Sequence, residues 1–572
     1  MTKEARTLLP DLFISGLVGL IVFAIISTAQ RWTGSAGPAV QIHLAFKYLP
    51  LYALFSLSRA VLAYLLSLAF ALSMGYWAAK SRFIARLVLP LITLGQSVPS
   101  MGLFAGVALG LVTLLPEHNL GLELACILLL FISQTWNMTL SFYSSVKSIP
   151  STTYELSAIT GMSPFQIFYK IEIPAASTGL AWNSMISMAG AWFFLSAIES
   201  FSIGNTVFRV PGLRSYMSVA VEEGDYLAQF SALVAMLGVI LFVDFVVWRP
   251  VLAWIRKFRM DEDASEEIPP PLALKFFRES RFVAFFLTSL QSTLSRFFGW
   301  WSIFRPKTKR FDLDKQLENR LVRLKDNLLV PFLFFLVLLL GFVLKKFSQL
   351  LYPLQLHDYQ LMFRAAFATL LRVLVAVTAA TLWTVPAAIG IGLSPRLTRR
   401  LQPWIQIAAS FPVTMLFPII IGLFTRVGVD LSITSSFLML LSVQWYIVFN
   451  VLSGAVGISQ DLRENFLLMR VPWFRRWKDL YLPSVFPSLV TGWTSAIRRA
   501  WNVSVVSEYF HYHNQVLQTF GLGALIRSAV SNGNFHLFTG CLIVLSGTTL
   551  AFNRFFIRRL THIAHTRYRF ER

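Results

Sequence analysis

The chain has 572 residues, 56% of them hydrophobic, and a mean hydropathy of +0.62, which leaves too little polar surface for a soluble globule of this length. Only 14% of residues are charged, yet the net charge is +22, and the basic excess sits in segments between apolar runs, as membrane topology requires; nucleic-acid binding is not implied. Cys126 and Cys541 both lie in apolar stretches, offer no disulfide framework or metal spacing, and read as packing residues.

In chain order, runs of roughly 20 apolar residues predict twelve spanning helices. The first six cover about 11–29, 50–78, 84–114, 121–146, 176–200 and 228–248; the second six cover about 327–345, 361–393, 401–425, 431–457, 486–509 and 536–556. The run 11–29 follows Lys3 and Arg6 like a signal peptide, but it lacks a convincing small-residue cleavage site and reads as an uncleaved first helix. Prolines in 84–114 and 401–425 predict bent or broken helices. The expected fold class is an all-α membrane protein of about twelve transmembrane helices in two parallel six-helix repeats. With Lys and Arg at the span ends counted with the adjoining segments, placing both termini in the cytoplasm puts 37 inside and nine outside, which decides the expected orientation. The expected units are 1–248 and 327–572, joined by a cytoplasmic linker, 249–326, in which Phe282, Phe285, Phe286, Leu290 and Leu294 suit a helix lying on the membrane.

The halves repeat each other. At an offset of 313, Arg59 matches Arg372, Pro90 matches Pro403 and Pro99 matches Pro412. At an offset of 309, Glu155 matches Glu464, Trp192 matches Trp501, Glu199 matches Glu508, Gly212 matches Gly521 and Arg249 matches Arg558. An even number of spans per unit makes the repeats parallel, with a translocation path at their interface.

Between the fourth and fifth spans of the first unit, within 150–174, Glu155 and Ala158 lead to Gly161, and Ile171 then leads to Pro174. Gly161 permits a turn between two short helices, and Pro174 suits a helix start. The corresponding segment 459–483 keeps the spacing from Glu464 to Pro483 but carries Arg470 at the glycine position, which puts its turn in doubt. This pattern resembles the EAA loop of type I ABC importer permeases, by which such a permease docks its ATPase. Ser56 to Arg59, Thr369 to Arg372, Trp192 with Glu199, Trp501 with Glu508, and Gly521-Leu-Gly523 extend the resemblance to the nitrate/sulfonate/taurine/bicarbonate group. The resemblance implies two permease units fused in one chain and located in the bacterial inner membrane. It also implies two ATP-binding cassette subunits holding ATP and Mg, an external substrate-binding protein, and a small solute. No P-loop occurs in the chain, no cofactor is expected in it, and it is not expected to be an enzyme.

The expected path or gate residues are Arg59, Trp192, Glu199, Arg372, Arg498, Trp501 and Glu508. Arg59–Glu199 and Arg372–Glu508 are read as two pseudo-equivalent pairs bracing the outer mouth, against the alternative of unpaired snorkelling. Arg498 and Arg499 stand where the first unit has Ala189 and Gly190. Helical phase turns Arg498 toward the path, where it would attract an anion, and turns Arg499 elsewhere, toward a structural partner; a structural role for both is the alternative. Trp192 and Trp501 either gate the path or pack. His511 and His513 lack a further ligand, so no metal site is expected. The rival reading of the whole chain is an ion-coupled secondary transporter with parallel repeats.

Overall fold

The computed structural model describes residues 41–97, 99–115, 120–203, 206–255, 345, 349, 351–512 and 515–567. The predicted spans 11–29 and 327–345 (Lys345 apart), most of the linker, and His513 lie outside the described residues. The other ten predicted spans are helical.

In the first unit the second span is Leu49–Lys80, opened by Pro50 in its first turn, where a missing N–H costs nothing. The third is broken into Arg82–Ser97 and Ser100–Leu114 on either side of Pro99. The fourth is Leu120–Lys147, the fifth Ile173–Ile198, and the sixth runs over Tyr226–Ile255. The second unit repeats this order with Leu356–Gly392, then Pro395–Ser410 and Phe417–Arg426, then Leu431–Val456, Leu482–Ser507 and Phe535–Ala564. Its third span breaks for the same reason. Phe411, just before Pro412, is extended with ψ 127°, because proline disfavours helical geometry in the preceding residue.

Even small irregularities are duplicated. A π-helical turn at Phe168–Glu172 recurs at Trp477–Tyr481, and one at Asp244–Trp248 recurs at Asn553–Ile557, each 309 residues on. Two-stranded hairpins follow both fifth spans: Ser200–Ile203 with Thr206–Arg209, and Tyr509–Tyr512 with Gln515–Gln518. The change of offset from 313 to 309 falls between helix Ser100–Leu114 and helix Leu120–Lys147.

Among the described residues, six helices are long and apolar enough to cross a membrane: the second, fourth and sixth spans of each unit. The fifth helices, 26 residues each, reach ~39 Å at 1.5 Å per residue. Within each unit the fourth span packs between the second and the fifth, and each fifth span touches the broken third span of the other unit. One continuous apolar core therefore runs through both units.

Candidate functional site

Three places gather the chemistry: the loops at one end of the bundle, the hairpin region at the other, and the junction of the fifth spans between them.

At the loop end, Ser151–Ile159 forms the first short helix and Gln460–Leu468 its counterpart. Glu155, Ala158 and Gly161 are exposed, as are Glu464 and Arg470; Ile171, Pro174 and Pro483 are partly buried where the loops rejoin the bundle. The turn predicted to be in doubt is the same in both units. Gly161 has φ 70° and Arg470 has φ 49°. The Met162 N–H donates to the Ser157 carbonyl (3.0 Å) and the Val471 N–H to that of Phe466 (3.1 Å), so both helices end in the same hydrogen-bonded turn. Arg470 therefore holds a left-handed conformation that glycine adopts without strain.

What anchors the loops differs. In the first unit Lys80 pairs with buried Glu172, which also accepts from the Tyr154 hydroxyl (3.0 Å), and the ammonium lies 4.6 Å from the Tyr154 ring centroid. Partial burial and then the Glu172 carboxylate push the Tyr154 phenol well above its ordinary pKa. The corresponding second-unit residues are Leu393, Tyr481 and Arg463, and there Arg463 donates to the Leu393 carbonyl (3.1 Å). An ion pair has been replaced by a single bond from a cation to the backbone.

At the hairpin end, Glu199 and Glu508 are buried at the C-termini of the fifth helices. Arg59 Nη1 lies 2.8 Å from Glu199, and Arg372 Nη1 lies 2.9 Å from Glu508, so both expected pairs are in contact. Each carboxylate also caps a short helix, Leu213–Glu222 or Leu522–Ser531, whose own N-cap is glycine. Glu199 accepts from the Arg214 N–H (3.0 Å) and the Ser56 hydroxyl (2.7 Å). Glu508 accepts from the Gly523 N–H (2.8 Å) and the Thr369 hydroxyl (2.8 Å). A negative charge at a helix N-terminus suits the orphan N–H groups there. A Cβ at Gly212 or Gly521 would collide with these carboxylates, so glycine is needed for the close approach.

Sequence reasoning missed Glu123. Arg59 Nε and Nη2 bind its two oxygens at 2.5 and 2.7 Å, so the first-unit cluster holds one cation between two buried carboxylates. The equivalent second-unit residue is Ser432, which accepts from Arg372 Nε (2.9 Å), while Nη2 donates to Thr519 (3.0 Å). An acidic residue inside an apolar span was the available signal. Arg214 and Arg527, on the two short helices, were also missed. Arg214 Nε and Nη1 and Arg527 Nε are buried without hydrogen-bond partners. Burial, and then the positive Arg527 nearby, push the Arg214 guanidinium down to about 10.

At the junction, Trp192 and Trp501 are buried in the core. Trp192 walls a small cavity with Met185 and Ala189, closed from the second unit by Gln406, Ile407 and Ser410. Gln406 donates to Asp244 (3.1 Å), which also pairs with Arg249 (2.9 Å). The junction is further tied by the Met101 N–H to Asn502 (3.0 Å) and by Ser196 to Thr414. The expected division between the paired arginines needs correction, since both reach the first unit. Arg498 Nη1 donates to Gln96 (3.3 Å) and Nε to the Thr494 carbonyl (3.3 Å). The Arg499 guanidinium lies 3.6 Å from the Phe193 ring centroid. The interface takes up more of the Leu482–Ser507 helix than the sector centred on Trp501 and Glu508, so residues 100° apart both face it.

The family described as binding-protein-dependent transport system inner membrane component matches residues 67–248 and again 380–563. The chain belongs to this family. It is a multi-pass membrane permease with two permease units fused in one polypeptide. Among similar proteins, the taurine transport system permease protein TauC of Escherichia coli is 27% identical over 168 residues, 28% of this chain and 55% of that protein. The diacetylchitobiose uptake system permease protein NgcG of Streptomyces coelicolor is 28% identical over 110 residues, 19% of this chain and 36% of that protein. The permease thus spans about half or less of the length of these relatives.

Proposed function

We propose that this permease, as a single copy, forms the whole translocation path of an ATP-driven importer. An external binding protein delivers the solute at the hairpin end. Two separate ATP-binding cassette subunits dock on the loops 150–174 and 459–483, which face the cytoplasm together with both termini and the 249–326 linker. The two exposed loops at equivalent positions of a duplicated permease unit carry this reading. The braced carboxylates Glu199 and Glu508 hold the outer mouth, and the junction of the fifth spans forms the path and its gate.

The solute in this reading is a small anion of the sulfonate, nitrate or bicarbonate type. Support comes from the likeness to a taurine permease and from Arg499 at the junction and Arg214 and Arg527 on the short helices, whose Nε atoms are, among the described residues, buried without a hydrogen-bond partner. The likeness to a diacetylchitobiose permease names the alternative solute class. The test is uptake into proteoliposomes holding the permease, its ATP-binding subunits and its binding protein. ATP-dependent, vanadate-sensitive accumulation of taurine, nitrate or bicarbonate is expected. Uptake driven by an ion gradient without the ATP-binding subunits overturns the reading.

A further inference from the structure

Five carboxylates are buried among the described residues: Glu123, Glu172, Glu199, Asp244 and Glu508. Each already has a cation, respectively Arg59, Lys80, Arg59, Arg249 and Arg372. None is left for Arg499, in the middle of the fifth span of the second unit. Its Nε is buried without a hydrogen-bond partner, and its neighbours are aromatic: Phe193 of the first unit at 3.6 Å and Tyr446 at 5.8 Å from the ring centroids. A ring face attracts a guanidinium but accepts none of its in-plane N–H groups as a carboxylate would. A cation kept at membrane depth without a counter-charge is costly.

Open space lies near this ring on the fifth span of the first unit. A Cβ built on Gly190 meets no atom within 4 Å. Gly190 is three residues before Phe193 on one helix, hence on the same face, with neighbouring positions roughly 5–6 Å apart. Gly190 is also the pseudo-equivalent of Arg499 itself, so the first unit has a gap where the second has a guanidinium. Arg498 is different, because its guanidinium is already engaged by Gln96 and the Thr494 carbonyl.

We propose that Arg499, over the Phe193 ring and one helical turn from the open space at Gly190, is a binding site for a small oxyanion between the two units. The ligand class is one whose oxygens match the guanidinium fork, such as a sulfonate, nitrate or bicarbonate. That the site serves transport rests on the importer reading; that it binds an anion does not. The stacked position on Phe193 leaves the in-plane N–H groups directed away from the ring, available to such a ligand.

The test uses the purified full chain in detergent at fixed ionic strength, titrated with ethanesulfonate, nitrate and bicarbonate, with diacetylchitobiose as the uncharged control. At least one oxyanion raises the melting temperature saturably, and the sugar does not. Arg499→Gln weakens that apparent affinity at least about tenfold, as loss of a charge-assisted contact does. Arg499→Lys keeps part of it, and Arg498→Gln stays within about twofold because its group is not in the contact. Gly190→Glu, which places a carboxylate in the gap, abolishes the response while the unliganded protein melts no lower, and this arm stands even if Arg499→Gln fails to fold. An unchanged response in Arg499→Gln or Gly190→Glu overturns the proposal, as does a wild-type chain that no oxyanion stabilises. If the anion response holds while ATP-dependent uptake by the full importer is absent, the importer reading fails and the site remains.

Discussion

Arg59 holds two buried carboxylates, and Arg372 holds one with hydroxyl support. Removing one partner of a buried pair costs about 3–5 kcal/mol, chiefly through the charge left behind. Glu199 and Glu508 each keep a hydroxyl and a backbone N–H when their arginine is removed, but Arg59→Ala also leaves the second carboxylate, Glu123, without its cation. The expected outcome in thermal unfolding is that Arg59→Ala melts well below Arg372→Ala, and that adding Glu123→Gln to Arg59→Ala recovers part of the difference. Equal losses would mean that the second carboxylate carries no charge. Arg470 calls for a substitution in the opposite direction. With φ 49° it holds a conformation costing a non-glycine residue about 1–2 kcal/mol, so Arg470→Gly is expected to slow hydrogen exchange across 460–478.

The elements were largely legible in the sequence. Hydropathy and the paired offsets placed the ten described spans, and Pro99 and Pro412 announced the breaks in the third spans. Height along a helix was legible as well, since Glu199 and Glu508, expected at the outer mouth with Arg59 and Arg372, are in contact with them there. Partners from other helices were not. Glu123 lies 64 residues from Arg59, and nothing local to either residue states that the second and fourth spans pack side by side. The loop anchors were hidden in the same way, because Lys80, Tyr154 and Glu172 come from three separate elements. Their convergence gives a prediction at this scale. Glu172→Gln removes the ion pair that ties the first loop to the second span. Hydrogen exchange over 151–170 is expected to speed up while that over 460–478 stays unchanged; equal loosening of both loops would show a global effect instead.

For the whole molecule, two permease units in one chain, with the importer reading proposed above, predict stoichiometry. Native mass measurement of the assembled importer is expected to show one copy of this chain with two ATP-binding subunits, and two copies would overturn that arrangement. Contacts between the units are matched without being identical: Ser196 meets Thr414 on one side, and Asn502 meets the Met101 backbone on the other. Asn502→Ala is therefore expected to weaken one side of the junction only, measured as faster exchange of the amides in 99–104 with those in 411–416 unaffected.

Glycine at 190 where the other unit has Arg499 has a consequence for how such a pore changes over generations. A permease assembled from two copies of one subunit inherits every mutation twice, so its lining can gain or lose charge only in even steps. Joining the copies in one gene removes that constraint. Arginines on one fifth span, set against alanine and glycine at the equivalent places of the other, are a state that a self-paired pore has no way to encode.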